Sequence, residues 1–486
     1  MQRSPTQPPV RSSAQAPSWT QQRRSTEDLT HSWDRANTFT KLSAYEERKA
    51  RLQAQLNTAS ENTIGLAKDT SNLFRQRKAG TKRLLDVRDF NHVLAVDPEA
   101  GWVDVEGMTS YEDLVAETLK HGVMPAVVPQ LKTITIGGAL AGVGIEASSF
   151  KYGLVHESVL EMEVLTGTGD VVLCTPHNEH ADLFYGFPNS YGTLGYTLRV
   201  KAKTIPVKPF VQLEHLHFSD AKAFWKALTD LCLAQEADFI DGVVFGPSEM
   251  TISVARFVDS APYLSDYHFK RIYYQSIRKR NKDFLTIADY LWRWDTDWFW
   301  CSKNLGMQNP LLRRLAGRKR LNSKTYTRLM RWNTRVGFTR TIDRLLGWHR
   351  EHIIQDVDIP LENAPRFLDF YLREIQVLPM WICPIGAYDT EARFSLYPRR
   401  PARLYINFGF WDIKRTREVY PPGHFNRLIE RATTELGGIK SLYSESYFSE
   451  EEFWSSYGKS AYDALKYRYD PNGTLTDLYQ KCVLRA

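Results

Sequence analysis

The sequence predicts an α+β fold in two successive parts, and three observations predict it. Strand-like and helix-like patterns are mixed along the chain, without the strict alternation a doubly wound parallel sheet requires. The pattern stops at a proline-bounded linker, Pro206 to Pro209, and then restarts. Residues 268–350 interrupt the second pattern with 20 Lys and Arg against 5 Asp and Glu, and with six of the 13 Trp. The expected organisation is a disordered tail over 1–40, a first domain over 41–209, and a second over 210–486 that contains a basic helical insert at 268–350.

Each element has a local reason. Ser43 and Glu46 have capping-box spacing and open a charged helix over 44–57. Strands follow at 84–87, 92–96 and 102–106, the last alternating with period two, with a turn at Asp97-Pro98-Glu99-Ala100-Gly101. A second capping box at Thr109 and Glu112 starts a helix that stops at Gly122. Strands at 159–165 and 171–174, a helix near 179–186 and a long strand from Tyr196 to Thr204 complete the first part. The second part reads as strand 211–218, helix 220–236 and strands 239–245 and 250–258. After the insert come helix 361–377, strands 378–383 and 403–409, and helices 422–436 and 449–457.

Composition narrows the function classes. The 486 residues are 43% hydrophobic and 24% charged, as expected of a globular chain and not of a disordered or fibrous one. Five scattered cysteines without a CxxC argue against a disulfide framework and a structural zinc site, and no metal is expected. No apolar run is long enough to span a bilayer, and the N-terminus has no apolar core of a secretory signal. The expectation is a cytoplasmic protein, with peripheral attachment to the inner face of the membrane through the insert.

The segment from Thr133 to Ser149 holds four glycines and four hydroxyls. Glycine lets backbone N–H groups approach an anion without a Cβ in the way. Gly142-Val143-Gly144-Ile145-Glu146-Ala147 matches GxGxxA, and Glu163 lies about 20 residues on, but no βαβ unit surrounds it. A dinucleotide-binding Rossmann unit is therefore rejected. The alternatives left open are a diphosphate or flavin cradle and a buried glycine-rich turn.

Four motifs, Ile134-Thr135-Ile136-Gly137-Gly138, Gly142-Val143-Gly144, Tyr152-Gly153 and Gly192-Thr193-Leu194-Gly195, resemble the FAD-binding (PCMH-type) domain of vanillyl-alcohol oxidase flavoproteins. Gly144 to Leu154, Cys174-Thr175-Pro176, Trp381-Ile382-Cys383-Pro384 and Glu451-Glu452-Phe453-Trp454 further resemble delta-24 sterol reductases and bacterial flavoproteins that reduce methylene-branched acyl chains. The resemblance implies a two-subdomain FAD-binding domain followed by an α+β cap, non-covalent FAD, and NADPH as electron donor. It implies cofactor contacts from Thr133, Ile134, Thr135, Gly137, Gly138, Gly142, Gly144, Ile145, Glu146, Ser148, Ser149, Lys151, Tyr152, Gly153, Gly192 and Gly195. One departure is visible. The diphosphate loop should fall at Lys68 to Arg75, which has no glycine and no histidine.

The implied reaction reduces an isolated C=C bond of a lipid, either a methylene-branched acyl chain or a sterol side chain. Both alkenes give a tertiary cation when the less substituted carbon is protonated, so the site needs a proton donor and a dry pocket. The candidate donors are Glu146, His156 and Tyr405, with Glu445 as a weaker fourth. Glu146 reads equally as a cap for backbone N–H groups, His156 as a structural histidine and Tyr405 as core. Tyr405, Asn407 and Gly409 share one strand face, opposite Leu404, Ile406 and Phe408. Cys383 reads as core.

The insert suits a membrane surface, since Trp favours the interface and Lys and Arg favour anionic headgroups. Nucleic acid is not expected, because no recognition signature accompanies the basic residues. The remaining reading is a solvated basic helical face with Trp turned inward. A methylene acyl substrate would also call for a methyltransferase partner, and nothing in the sequence speaks to oligomeric state. The alternative functions are a flavin-dependent lipid dehydrogenase or oxidase, and a non-catalytic protein that binds membranes or nucleic acid.

Overall fold

The computed structural model describes residues 19–56, 63–71, 74–75, 82–336, 346–400 and 403–485. Helix α1, Trp19–Leu56, starts 24 residues before Ser43, so Ser43 lies inside a helix and caps nothing. Residues 19–40, expected within the tail, are helical, whereas 1–18 lie outside the described residues. The described residues 19–49 belong to a unit of their own, in which Glu46 and Lys49 pair at 2.8 Å one turn apart. All that follows concerns the second unit, residues 50–486.

The first part of that unit has two sheets. Strands β1 (Ile64–Ala67) and β2 (Arg83–Asp86) form a parallel pair. A six-stranded sheet follows in the order β3 (Val93–Asp97), β4 (Trp102–Glu106), β8 (Tyr196–Pro206), β6 (Val159–Leu165) and β7 (Val171–Cys174), with β5 (Val123–Pro125) also paired to β8. All pairs in this second sheet are antiparallel, which agrees with rejecting a Rossmann unit. Helix α2 (Tyr111–Thr118) is capped by Ser110, one residue later than expected, because Ser110 Oγ accepts from the Asp113 N–H. A 3₁₀ turn, Leu119–His121, continues it to Gly122, whose φ of +70° is the left-handed stop the sequence indicates.

The second part is an eight-stranded antiparallel sheet. Its order is β12 (Lys282–Thr286), β9 (Phe210–Phe218), β11 (Glu249–Val258), β10 (Phe239–Gly246), β14 (Met380–Ile385), β15 (Tyr405–Thr416), β13 (His349–Pro360) and β16 (Ile439–Lys440). Strand β12 belongs to the basic insert, so that segment supplies an edge strand and is not wholly helical. The helix expected over 361–377 is α-helical only at Ala364–Phe370 and then widens, with the Gln376 N–H reaching Tyr371 O at 2.9 Å.

The two faces of this sheet differ. Ile240, Ile252, Ile382, Ile406 and Phe408 point into one core with helices α6 (Ala221–Ala234), 364–370 and 424–435. The opposite face turns to the first part of the unit and shares its core through Val243, Trp381, Cys383 and Tyr405. Strand alternation forces that division, and it appears as expected for residues 404–409.

Candidate functional site

The face turned toward the first part carries a transverse row of buried polar groups. His215 is paired with Ser253, Ser253 with Asp241, Cys383 with Asn407, and Asn407 with Asp358. Gly242 pairs with Ile382, which sets Asp241 beside Cys383. His215 Nδ1 lies 2.9 Å from Ser253 Oγ, and burial lowers this histidine to about 4, so its ring is neutral. Asp358 accepts from Tyr397 Oη at 2.9 Å and from Asn407 Nδ2 at 2.8 Å. Asp356, one row on and opposite Gly409, is pushed up to about 7 by burial.

The glycine-rich segment docks on this row. Cys383 Sγ donates to Glu146 O at 3.2 Å, the Ile240 N–H to Ala147 O at 2.9 Å, and the Gly386 N–H to Ser149 O at 3.0 Å. A Cβ on Gly386 would sit 2.3 Å from Phe150 O, so only glycine allows this approach. Glu146 is 1% exposed, and its Oε1 accepts from Arg293 Nη2 at 3.0 Å. The same nitrogen donates to Asp241 Oδ2 at 3.0 Å, which also accepts from Trp381 Nε1 at 3.1 Å. The Arg293 guanidinium carbon lies 4.0 Å from the Tyr290 ring centroid. One cation thus serves two buried carboxylates. Burial raises Glu146 to about 7, against the opposing pull of Arg293, and its Oε2 has no hydrogen-bond partner.

The three candidate donors do not converge. His156 packs edge-on against Phe394, at 4.4 Å between centroids, and burial followed by the Arg399 charge holds it well below its ordinary value. Tyr405 accepts from the Arg400 N–H at 3.0 Å, and Arg399 lies 5.7 Å from its ring. His156 and Tyr405 therefore gather near Arg399, whereas Glu146 joins Asp241 and Arg293. Glu445 accepts from Tyr447 Oη at 2.8 Å and lies 3.6 Å from Arg485, so it belongs to a surface group elsewhere.

The cofactor candidates divide by where their groups are used. Thr135 caps α3 (Ile136–Ala141), its Oγ1 accepting from the Gly138 N–H, and the Gly137 N–H donates to Gly107 O. These two amides are committed within the protein. Gly137 serves close packing, since a Cβ there would lie 2.7 Å from Gly107 O. Gly195 and Gly153 have φ of +146° and +68° and would clash with Val164 and Glu157 respectively. Gly192 is a left-handed turn at φ +75°. Ser148 Oγ donates to Ala126 O, and Ser149 Oγ accepts from the Glu146 N–H. Lys151 Nζ reaches Ala237 O at 3.2 Å, and Tyr152 stacks with Tyr388. Residues 149–152 form a single helical turn that the sequence did not suggest.

What remains accessible fits a polar, extended cofactor. Gly138 is exposed, and Thr133, Ile134, Gly142, Gly144 and Ile145 are half-buried. Facing them, the Tyr191 N–H donates to Ala141 O, and Tyr191 Oη donates to Gly142 O at 3.3 Å. Val143, Asn189 and Tyr191 all have positive φ, a conformation uncommon for non-glycine residues. Buried polar atoms here lack partners: Ser190 Oγ, Asn189 Oδ1, Thr109 Oγ1, both ends of the Gln130 amide, and Nη2 of Arg75, whose guanidinium lies over the Tyr191 ring at 5.0 Å. Leaving so many buried groups unsatisfied is costly unless a ligand pairs with them. Arg75 closes the glycine-poor stretch 68–75, of which Asn72 and Leu73 lie outside the described residues, and its Nη1 donates to Leu442 O. Asn189 and Tyr191 stand just before the Gly192–Gly195 motif, and Asp241 and Arg293 were missed altogether.

The insert corrects a further expectation. Trp292, Trp294, Trp298 and Trp300 are 7%, 1%, 6% and 0% exposed, so they are core and not an interfacial belt. Trp294 stacks on Phe299 at 5.2 Å, and Phe299 meets Trp411 at 4.1 Å. Trp348 is half-buried beneath Arg417, and the Trp332 side chain lies outside the described residues. Arg313 is also buried, pairing with Asp297 at 2.6 Å.

Residues 50–175 match the FAD binding domain family. With this fold and cradle, that match defines an FAD-dependent oxidoreductase. The chain is similar to the delta(24)-sterol reductases. It is 26% identical to the enzyme of Homo sapiens over 81% of this chain and 76% of the relative, and 24% identical to that of Pisum sativum over 82% and 76%. Cytokinin dehydrogenase 7 of Oryza sativa subsp. japonica is 29% identical over 36% of this chain and 33% of its own.

Proposed function

We propose that this oxidoreductase reduces an isolated carbon–carbon double bond of a lipid, with a methylene-branched acyl chain as first substrate, a sterol side chain as second, and NADPH as electron donor. The observation that carries the reading is Glu146, a buried carboxyl raised to about 7 with one oxygen unpartnered, in the segment docked against the sheet. The name shared by the relatives, delta(24)-sterol reductase, supports reduction of a lipid alkene.

Bound flavin supplies hydride-transfer chemistry. The chain's own residues handle the proton. Glu146 Oε2 is the proposed donor to the less substituted alkene carbon, and Arg293, on Oε1, stabilises the carboxylate left behind. Trp381, Trp294 and Tyr290 keep water away, which strengthens each of these electrostatic effects. Purified holoprotein held without oxygen should lose its visible flavin absorbance on addition of NADPH, and lipid extracts of producing cells should gain saturated methyl branches. Bleaching by lipid alone would reverse the direction and make the protein a dehydrogenase or oxidase.

We further propose that the insert meets a membrane surface, though not through tryptophan. Leu311, Leu312 and Leu315 on α9 (Pro310–Ala316) are 66%, 42% and 71% exposed, beside exposed Arg314, Arg318, Lys319 and Arg320. Exposed leucine rimmed by cations suits an anionic bilayer. The protein should float with anionic liposomes at low salt, and the Leu311→Glu, Leu315→Glu double variant should remain at the bottom of the gradient. Among the described residues no helix is long and apolar enough to cross a membrane.

A further inference from the structure

A cavity of about 630 Å³ lies away from the Glu146 site, where the helix His424–Glu435 meets residues 446–452 and the last residues of the chain. Its lining carries three arginines and one glutamate, and one of the arginines, Arg485, also lies 3.6 Å from Glu445. Arg427 and Arg431 stand four residues apart on the helix and so share a face, and Arg485 comes from the other wall. Arg427 donates to Tyr447 O at 3.3 Å, and its guanidinium lies 5.6 Å from the Tyr447 ring, with that of Arg485 at 5.9 Å. Two like charges thus flank one aromatic ring. Arg431 is exposed and makes no hydrogen bond or ion pair among the described residues, although its charge bears on Glu452.

The acids nearby are already engaged. Glu452, the only acidic residue in the lining, accepts from the Ser449 N–H at 2.8 Å, and this bond holds its carboxyl below the ordinary value. Glu445, behind Arg485, accepts from Tyr447 Oη. The second observation is Ser446. It lines the cavity and is 3% exposed, and its Oγ has no partner. A buried hydroxyl without a partner, in a lining that also carries three guanidinium groups, supplies the donor types of an oxyanion site. Tyr447 offers a flat surface, and Val483 and Leu484 an apolar edge, for whatever the anion is attached to.

We propose that this cavity binds a phosphate-bearing ligand of nucleotide size, the phosphate held by Arg427, Arg431, Arg485 and Ser446. The volume is within the range of small-molecule sites. Two sources share this chemistry, a free nucleotide and a phospholipid headgroup.

The test uses the full-length holoprotein at low salt. Adenosine 2′,5′-bisphosphate is titrated by calorimetry, and phosphatidic acid is offered in neutral vesicles as a competitor. The wild type should bind one of the two, with affinity falling as salt rises. The Arg431→Ala and Ser446→Ala variants should each lose about tenfold, equivalent to roughly 1.4 kcal/mol. Arg431 makes no hydrogen bond or ion pair among the described residues, so its variant should keep wild-type flavin content and thermal stability. Saturable bisphosphate binding that vesicles do not displace identifies a nucleotide, and binding to vesicles alone identifies a headgroup. Absence of binding to both probes, or wild-type affinity in both variants, overturns the proposal.

Discussion

Replacing Arg293 with methionine should destabilise the protein by about 3–5 kcal/mol, the usual cost of leaving buried charge without its partner. Two carboxylates lose their cation at once, since Arg293 Nη2 serves Glu146 and Asp241 alike. The unpaired acids then repel each other, and Glu146, already raised by burial, moves further toward the neutral form. Urea unfolding followed by tryptophan fluorescence reads the loss. The triple variant Arg293→Met, Glu146→Gln, Asp241→Asn should recover much of it, because neutral amides in place of the carboxylates remove the uncompensated charge. Recovery in the triple variant separates charge from packing, since the guanidinium over the Tyr290 ring is absent in both.

Glu146→Gln should lower turnover by about 10²- to 10⁴-fold while leaving flavin content near that of the wild type, the range expected for loss of a positioned proton donor. The pH profile gives the sharper test. Burial raises the Glu146 carboxyl to about 7, so the donor is protonated below that value and ionised above it. Turnover of the wild type should therefore fall as pH rises through about 7, and the variant should have lost that limb. A variant that keeps both full turnover and the limb would remove Glu146 from the chemistry and direct attention to Asp356, the other carboxyl on this sheet face raised to about 7. The same shift has a consequence for folding. A carboxyl whose folded-state pKa is raised stabilises the fold only where it stays protonated, so its contribution is full in acid and is lost as pH climbs from its ordinary 4.5 toward 7.

Local sequence signals carried most of the architecture. The strand at 159–165, the helix stop at Gly122 and the two-faced strand at 404–409 appear as the sequence indicates, since periodicity, turn residues and caps act over a few neighbours. The long α1 escaped because capping residues also occur inside helices, where their side chains need not cap. The insert shows a different limit. Tryptophan favours a membrane interface and a protein core for the same reason, a large apolar surface with one polar atom, so composition cannot choose between them. Phe299 and Trp411 decide it, and Trp411 is brought from more than a hundred residues away.

The site divides along the same line. The glycine-rich segment could be read directly, because its spacing is local and its match to a flavin domain runs through contiguous residues. That Gly137 packs against Gly107 could not be read, nor could the pairing of Glu146 with an arginine 147 positions away in the most basic stretch of the chain. A side chain's acidity depends on what surrounds it within a few ångström, and only the folded chain brings those neighbours together. The sequence alone determined the alternation of strands, the turns and the glycine run. Tertiary packing decided which carboxyl is buried, which cation shares it and which of the basic segment's apolar residues meet solvent.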